Sequence, residues 1–321
     1  MFRLTSALAA VALCMAAGGS SAATSFPDKP IHLIVPYPAG GIVDIVARTI
    51  ADQVSRDWNQ PVIVEDKPGA QSNIGTSYVA RSEPDGYTWI ISGPAILANP
   101  TIYPNAGWDA LRDFKCVGLS VWNQSVAVVP AGMDVKTLKD FVAKAKAQPG
   151  HLNYGTPGVG SSNDLSAKKF FRAAGIKMTT IGYKGQPPAL IDLINNQIQF
   201  EVVALTLALP HIKDGKIKPL ATLTHTRIKE LPDVPTIEEA GYADAAFVPW
   251  YGIYVPAKTP DDIVKTINAG ISKALENPTV RDRLAKSDIP GKPMSVAELA
   301  ALMKTDETAL AAVAKATSGS K

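Results

Sequence analysis

Short buried strands alternate with amphipathic helices along this chain, and the alternation runs twice. A strand, a turn, a helix and another strand make a βαβ unit, because parallel strands need a crossover long enough to hold a helix. Residues 31–35 (Ile-His-Leu-Ile-Val) read as a buried strand closed by Pro36-Tyr37-Pro38-Ala39-Gly40-Gly41. From Ile42 the period becomes helical, with Ile42, Ile45, Val46, Thr49, Ile50 and Val54 on one face. Strands at 61–64 and 87–91 flank a helix near 74–81.

The pattern restarts with a strand at 125–129, a helix at 135–147 and a strand at 152–154. A helix at 163–174 follows, then strands near 178–182, 198–203, 219–223 and 251–255 with helices between the earlier ones. The rest reads as helix, at 261–276, 279–285 and 295–316. The fold class expected is α/β, with two α/β lobes of mainly parallel sheet and an all-helical tail packed back on the first lobe.

With 321 residues, 46% apolar and 19% charged, two cores of ordinary size can form. The charge balance, 32 − 29 = +3, is too even for a nucleic-acid binder, which must neutralise many phosphates. At the start, Met1-Phe2-Arg3 precedes an apolar run to Ala17 and then Gly18-Gly19-Ser20-Ser21-Ala22-Ala23. That layout is a signal peptide, residues 1–23, and implies export. Cys14 would leave with it, and Leu13 before it does not suit lipoprotein processing. Cys116 then has no partner for a disulfide and reads as a small buried hydrophobe.

Two loops carry the functional signal. The first is Pro38-Ala39-Gly40-Gly41-Ile42-Val43-Asp44; the second is Gly155-Thr156-Pro157-Gly158-Val159-Gly160-Ser161-Ser162. Each joins a strand to a helix N-terminus, where uncovered N–H groups and the helix dipole favour an anion. Neither has the Gly-Lys-Ser/Thr ending of a nucleotide P-loop or the glycine spacing of a dinucleotide site. His32, His151, His211 and His225 are dispersed, no serine sits in a nucleophile elbow, and no metal or cofactor is implied. Lys184, ending a strand, reads as a solvated lysine or a secondary attraction for an anion.

Several segments resemble the Bug-type receptors, periplasmic substrate-binding proteins of tripartite tricarboxylate transport systems. They are Phe26-Pro27-Asp28-Lys29-Pro30-Ile31, residues 36–44, Val64-Glu65-Asp66-Lys67-Pro68-Gly69-Ala70 and residues 154–162. Tyr183-Lys184-Gly185-Gln186-Pro187-Pro188-Ala189, Leu209-Pro210-His211-Ile212 and Leu231-Pro232-Asp233-Val234-Pro235-Thr236 continue the likeness in order.

The resemblance implies a periplasmic-binding-protein-like fold, two lobes closing on a ligand cleft with two crossover strands. Residues 24–122 and 255–321 would form lobe 1, and residues 123–254 lobe 2. It implies a monomeric, non-catalytic receptor that delivers a small carboxylate to the membrane subunits of such a transporter. Carried over, the carboxylate cradle is Tyr37, Ala39, Gly40, Gly41 and Asp44 with Gly158, Val159, Gly160, Ser161 and Ser162. Asp44 would orient water or cap its helix, since an ionised carboxylate repels another. Gln71, Ser72, Asn73 and Ser92 are expected at the distal end. Relatives often carry Asp-Asn where this chain has Val203 and Ala204, so an apolar wall and an aromatic dicarboxylate such as terephthalate are expected. Alternatives are citrate or another aliphatic carboxylate, a periplasmic sensor, or an exported hydrolase or isomerase using Cys116 or a histidine.

Overall fold

The computed structural model describes residues 26–318 except Asn123, Ser287, Asp288 and Pro290; the expected signal peptide lies outside the described residues. From the start run β1 (Ile31–Val35), α1 (Ile42–Trp58), β2 (Val62–Asp66), α2 (Asn73–Ala80), β3 (Thr88–Ser92), α3 (Ala95–Ile102), α4 (Ala110–Asp113) and β4 (Phe114–Trp122). Next come β5 (Ser125–Pro130), α5 (Leu138–Ala147), β6 (Asn153–Thr156), α6 (Ser162–Ala174), β7 (Thr179–Gly182), α7 (Gln186–Ile194), β8 (Phe200–Ala204), α8 (Leu205–Lys213) and β9 (Ile217–Thr222). β10 (Trp250–Pro256), α9 (Asp261–Glu276), α10 (Pro278–Ala285) and α11 (Val296–Ser318) complete the chain.

The local signals explain the helix ends. α1 starts from Gly41 in extended backbone and stops at Asn59, whose φ of 49° is left-handed. Its Val43, Val46, Ala47, Ile50 and Val54 are buried, and each larger aliphatic among them contributes roughly 1.5–3 kcal/mol by leaving water. α6 is capped by the Ser161 side chain, which accepts the Asp164 N–H, and ends at Gly175 with φ 63°.

The strands form two five-stranded sheets of matching plan, ordered β2-β1-β3-β10-β4 and β7-β6-β8-β5-β9. Four strands of each run the same way, three of them paired side by side, and one antiparallel strand, β10 or β5, is inserted between those three and the fourth. Apolar side chains pack on both faces of each sheet. The matching order puts the loops after β1 and β6 at equivalent positions, beyond the strand ends where α/β sheets bind ligands. The architecture is periplasmic-binding-protein-like. α9 packs on α1 and β4, and α11 packs on α3 and β4, so the tail does cover the first lobe; α11 also reaches α6.

One expectation needs correcting, and two elements had no counterpart in the sequence pattern. β10 pairs with both β3 and β4, so the expected boundary between Tyr254 and Val255 falls inside a strand of the first sheet. The return crossing therefore precedes Trp250. α3 has no counterpart in the expected elements because its Asn99-Pro100 reads as a turn; the helix tolerates one missing N–H. β4 also escaped the pattern: Leu119 sits at φ 63° and the pairing with β10 shifts register there, which breaks the alternation.

Glu201, on β8 at the centre of the second sheet, is fully buried, and neither carboxyl oxygen has a hydrogen-bond partner. Burial pushes its carboxyl up to about 8. An acid raised this far stays protonated in the folded state below about pH 8, so the contribution of this group to stability is fully present below the ordinary value of 4.5. It then falls as pH rises to about 8, by an amount on the order of 4–5 kcal/mol. Urea unfolding of Glu201→Gln should show that slope flattened between pH 5 and 8; an unchanged slope would mean another group carries it.

Candidate functional site

Both loops are built on one device. In the first, Gly40 turns with φ 79° and donates its N–H to Asp44 Oδ2 at 2.8 Å, while Arg48 Nε pairs with Asp44 Oδ1 at 2.7 Å. In the second, Gly160 turns with φ 86° and donates to Asp164 Oδ2 at 2.9 Å, while Lys168 Nζ meets the same oxygen at 2.9 Å. The shared spacing is Gly-x3-Asp-x3-Arg/Lys, which places glycine, acid and base on one side of successive helical turns. Arg48 also holds Asp66 at the end of β2, and Tyr154 donates to Asp164 Oδ1 at 2.7 Å.

In each case the aspartate is consumed by the fold. Its charge is balanced by a cation one turn on, and it pins the glycine whose turn exposes the next amides. The first helical bonds run from Ile45 to Gly41 and from Leu165 to Ser161, so the N–H groups of Gly41, Ile42, Val43, Ser162 and Asn163 have no intrahelical partner. Two helix N-termini thus present donors, one from each lobe. Ala39, Gly40 and Gly41 are exposed, Val159 and Ser161 half-buried, and Gly158, Gly160 and Ser162 buried.

Hydroxyl groups join the loops. The Tyr37 hydroxyl lies among Ser92, Ser72 and the backbone of Gly93; burial raises its pKa and these contacts oppose the rise. Ser92 Oγ, buried, has no complete hydrogen bond of its own. Tyr251 on β10 is also held well above the usual phenol value, first by burial and then by the neighbouring Tyr37, with Ser162 opposing. Tyr251 of the first sheet thus lies beside Ser162 of the second loop, and Tyr103, just after α3, donates to Val159 O at 3.1 Å.

Not every expected residue joins this cluster. Val203 is fully buried among Val126, Val128, Ala189 and Leu205, so it offers no surface to a ligand here. Ala204 is nearly so, with its N–H to Gln186 Oε1 at 3.3 Å. Ser72 and Ser92, expected at a distal end, sit by Tyr37 instead. Cys116 is buried, and burial pushes its thiol up to about 12, which keeps it protonated and a poor nucleophile. Among the described residues no group of histidine, cysteine and acidic side chains is placed to hold a metal, and no helix is long and apolar enough to cross a membrane. A groove of about 1150 Å³ runs from Ala70 and Tyr103 along α2 to His32 and Thr88, away from the paired glycines.

Asp164, Asn99, Tyr103 and Tyr251 were not singled out as site-forming residues by sequence reasoning. For Asp164 a signal existed, the repeated Gly-x3-Asp-x3-base spacing; the others act through tertiary contacts. Asp164→Ala should cost about 3 kcal/mol, because it strands the Gly160 amide and Lys168 in a dry setting. Asp44→Ala, whose Arg48 is half exposed, should cost about 1 kcal/mol. Urea unfolding tests the order; equal losses would contradict it.

The family model for the tripartite tricarboxylate transporter family receptor matches residues 46–317. Protein BugT of Bordetella pertussis is 30% identical over 287 residues, 88% of each chain. A solved periplasmic transporter is 33% identical at TM-score 0.77, covering 91% of this chain and 98% of its own. An R. palustris protein solved with adipate is 31% identical at TM-score 0.78, covering 92% and 98%. The chain belongs to the tripartite tricarboxylate transporter family receptors.

Proposed function

We propose that this protein is a periplasmic receptor that binds a small dicarboxylate between its lobes and delivers it to the membrane subunits of a tripartite tricarboxylate transporter. Residues 1–23 act as its export signal. Lobe 1 comprises residues 24–122 and the chain from Trp250 onward, and lobe 2 the segment between. The observation that carries the reading is the pair of helix N-termini, α1 and α6, each opened by a glycine pinned to an aspartate. Amides from both lobes meeting one carboxylate would couple binding to closure.

A dicarboxylate is favoured because the similar R. palustris protein was solved with adipate. The case for an aromatic ligand is weaker, since the wall expected at Val203 is core. Terephthalate therefore stands beside adipate and citrate as a candidate. The raised thiol of Cys116 gives the exported-enzyme alternative no support.

Calorimetric titration of residues 24–321 with adipate, terephthalate, citrate and benzoate should find at least one binding acid. At 100 times its dissociation constant that acid adds about 2.7 kcal/mol of stability, a shift of a few degrees in Tm. Ile42→Pro removes one amide at the first helical position, where proline is tolerated and Gly41 is already extended. It should weaken binding about tenfold or more while the protein stays folded. Unchanged affinity would place the carboxylate elsewhere, and no response to any acid would refute the receptor reading.

A further inference from the structure

The turn between β2 and α2 is held in an unusual conformation. Gly69, Ala70, Gln71 and Ser72 all have positive φ, at 126°, 46°, 56° and 74°. For the three residues with side chains this costs on the order of 1 kcal/mol or more each, so something must hold the turn. Asn99 does: its Nδ2 donates to Gln71 O at 2.6 Å and Asn73 Oδ1 at 3.1 Å and lies 3.4 Å from Ser72 Oγ. Its Oδ1, buried with no hydrogen-bond partner, faces Gly160, where an added Cβ would stand 3.1 Å away. Asn99 is thus set between the strained turn and the second amide loop.

The strain has one visible result, the placement of Gln71. Its side-chain amide lies against the Cα of Gly158: a Cβ there would stand 2.7 Å from Oε1 and 2.8 Å from Nε2. Gly158, at φ 153°, has no side chain to keep it away. No hydrogen bond occupies this amide among the described residues, and Gln71 is exposed. A donor and an acceptor without partners are therefore laid beside the loop that presents the Ser162 and Asn163 amides.

We infer that Gln71 is a selectivity residue, its amide binding a second polar group of the ligand beyond the carboxylate held by the helix N-termini, with Asn99 as its positioning residue. The inference rests on the receptor reading above and deepens it. A neutral amide can donate to a second carboxylate or accept from a hydroxyl without adding charge to the cleft. It therefore favours a diacid over the matching monoacid. Leaving Gln71 unpaired against an apolar ligand end would cost the amide its water with no replacement.

The test is calorimetric titration of residues 24–321 with two matched pairs, adipate against hexanoate and terephthalate against benzoate. The unaltered chain should prefer the diacid of whichever pair it binds. Gln71→Gly, which relieves the left-handed strain and so should melt no lower, should weaken the diacid about tenfold and leave the monoacid within about twofold. Gln71→Glu, of the same shape, should lose at least as much diacid affinity through repulsion. Asn99→Ala should narrow the same preference even at a temperature where it is fully folded. An unchanged diacid-to-monoacid ratio in Gln71→Gly would overturn the role of Gln71 alone. Tighter binding of both acids would make Gln71 a plug and overturn it too. Failure of all four acids to bind would overturn the receptor reading and this inference with it.

Discussion

A glycine amide bound to an aspartate four residues later, with a cation four residues beyond, organises both loops of this molecule. The helix could begin without it, but the glycine would not be held in its left-handed turn. The interaction keeps two negative side chains beside a proposed anion site without making them repel the anion. Asp44 and Asp164 point their charge at Arg48 and Lys168, leaving the outward face to neutral amides. An amide cradle carries no net charge to desolvate when the cleft closes, so closure is cheaper than over an arginine or lysine.

The same device in both lobes follows from the doubled topology. Each sheet places its second-positioned strand, β1 or β6, beside two parallel neighbours, and the loop at its carboxyl end opens at the same place. The inserted antiparallel strands then link the halves. β10 brings Tyr251 to Ser162, while α3 brings Tyr103 to Val159. α11 also packs on α6, and Leu165 of α6 is buried with Ile96, Ile102 and Leu299, so apolar packing joins the halves beside these polar contacts.

Much of this was legible because the strongest signals are local. β1, α1 and α9 follow from periodicity, and the paired glycines followed by helices marked the loops. β4 was hidden by the irregularity at Leu119, and α3 by Pro100, since each breaks the pattern that a reader counts. Val203 was misplaced for a different reason. β8 is buried on both faces, with Phe200 in one core and Val203 in the other, so an apolar run does not say which side meets a ligand. The hydroxyl cluster around Tyr37 and Tyr251 joins residues from five separate segments, and no spacing in the sequence connects them.

The central claim is that one carboxylate is shared by the two helix N-termini. A crystal structure of residues 24–321 with the tightest-binding acid tests it most directly. The account predicts a carboxylate within hydrogen-bond reach, direct or through one water, of amides in both 39–43 and 159–163. A ligand seated in the groove along α2, or held by one lobe alone, would contradict it.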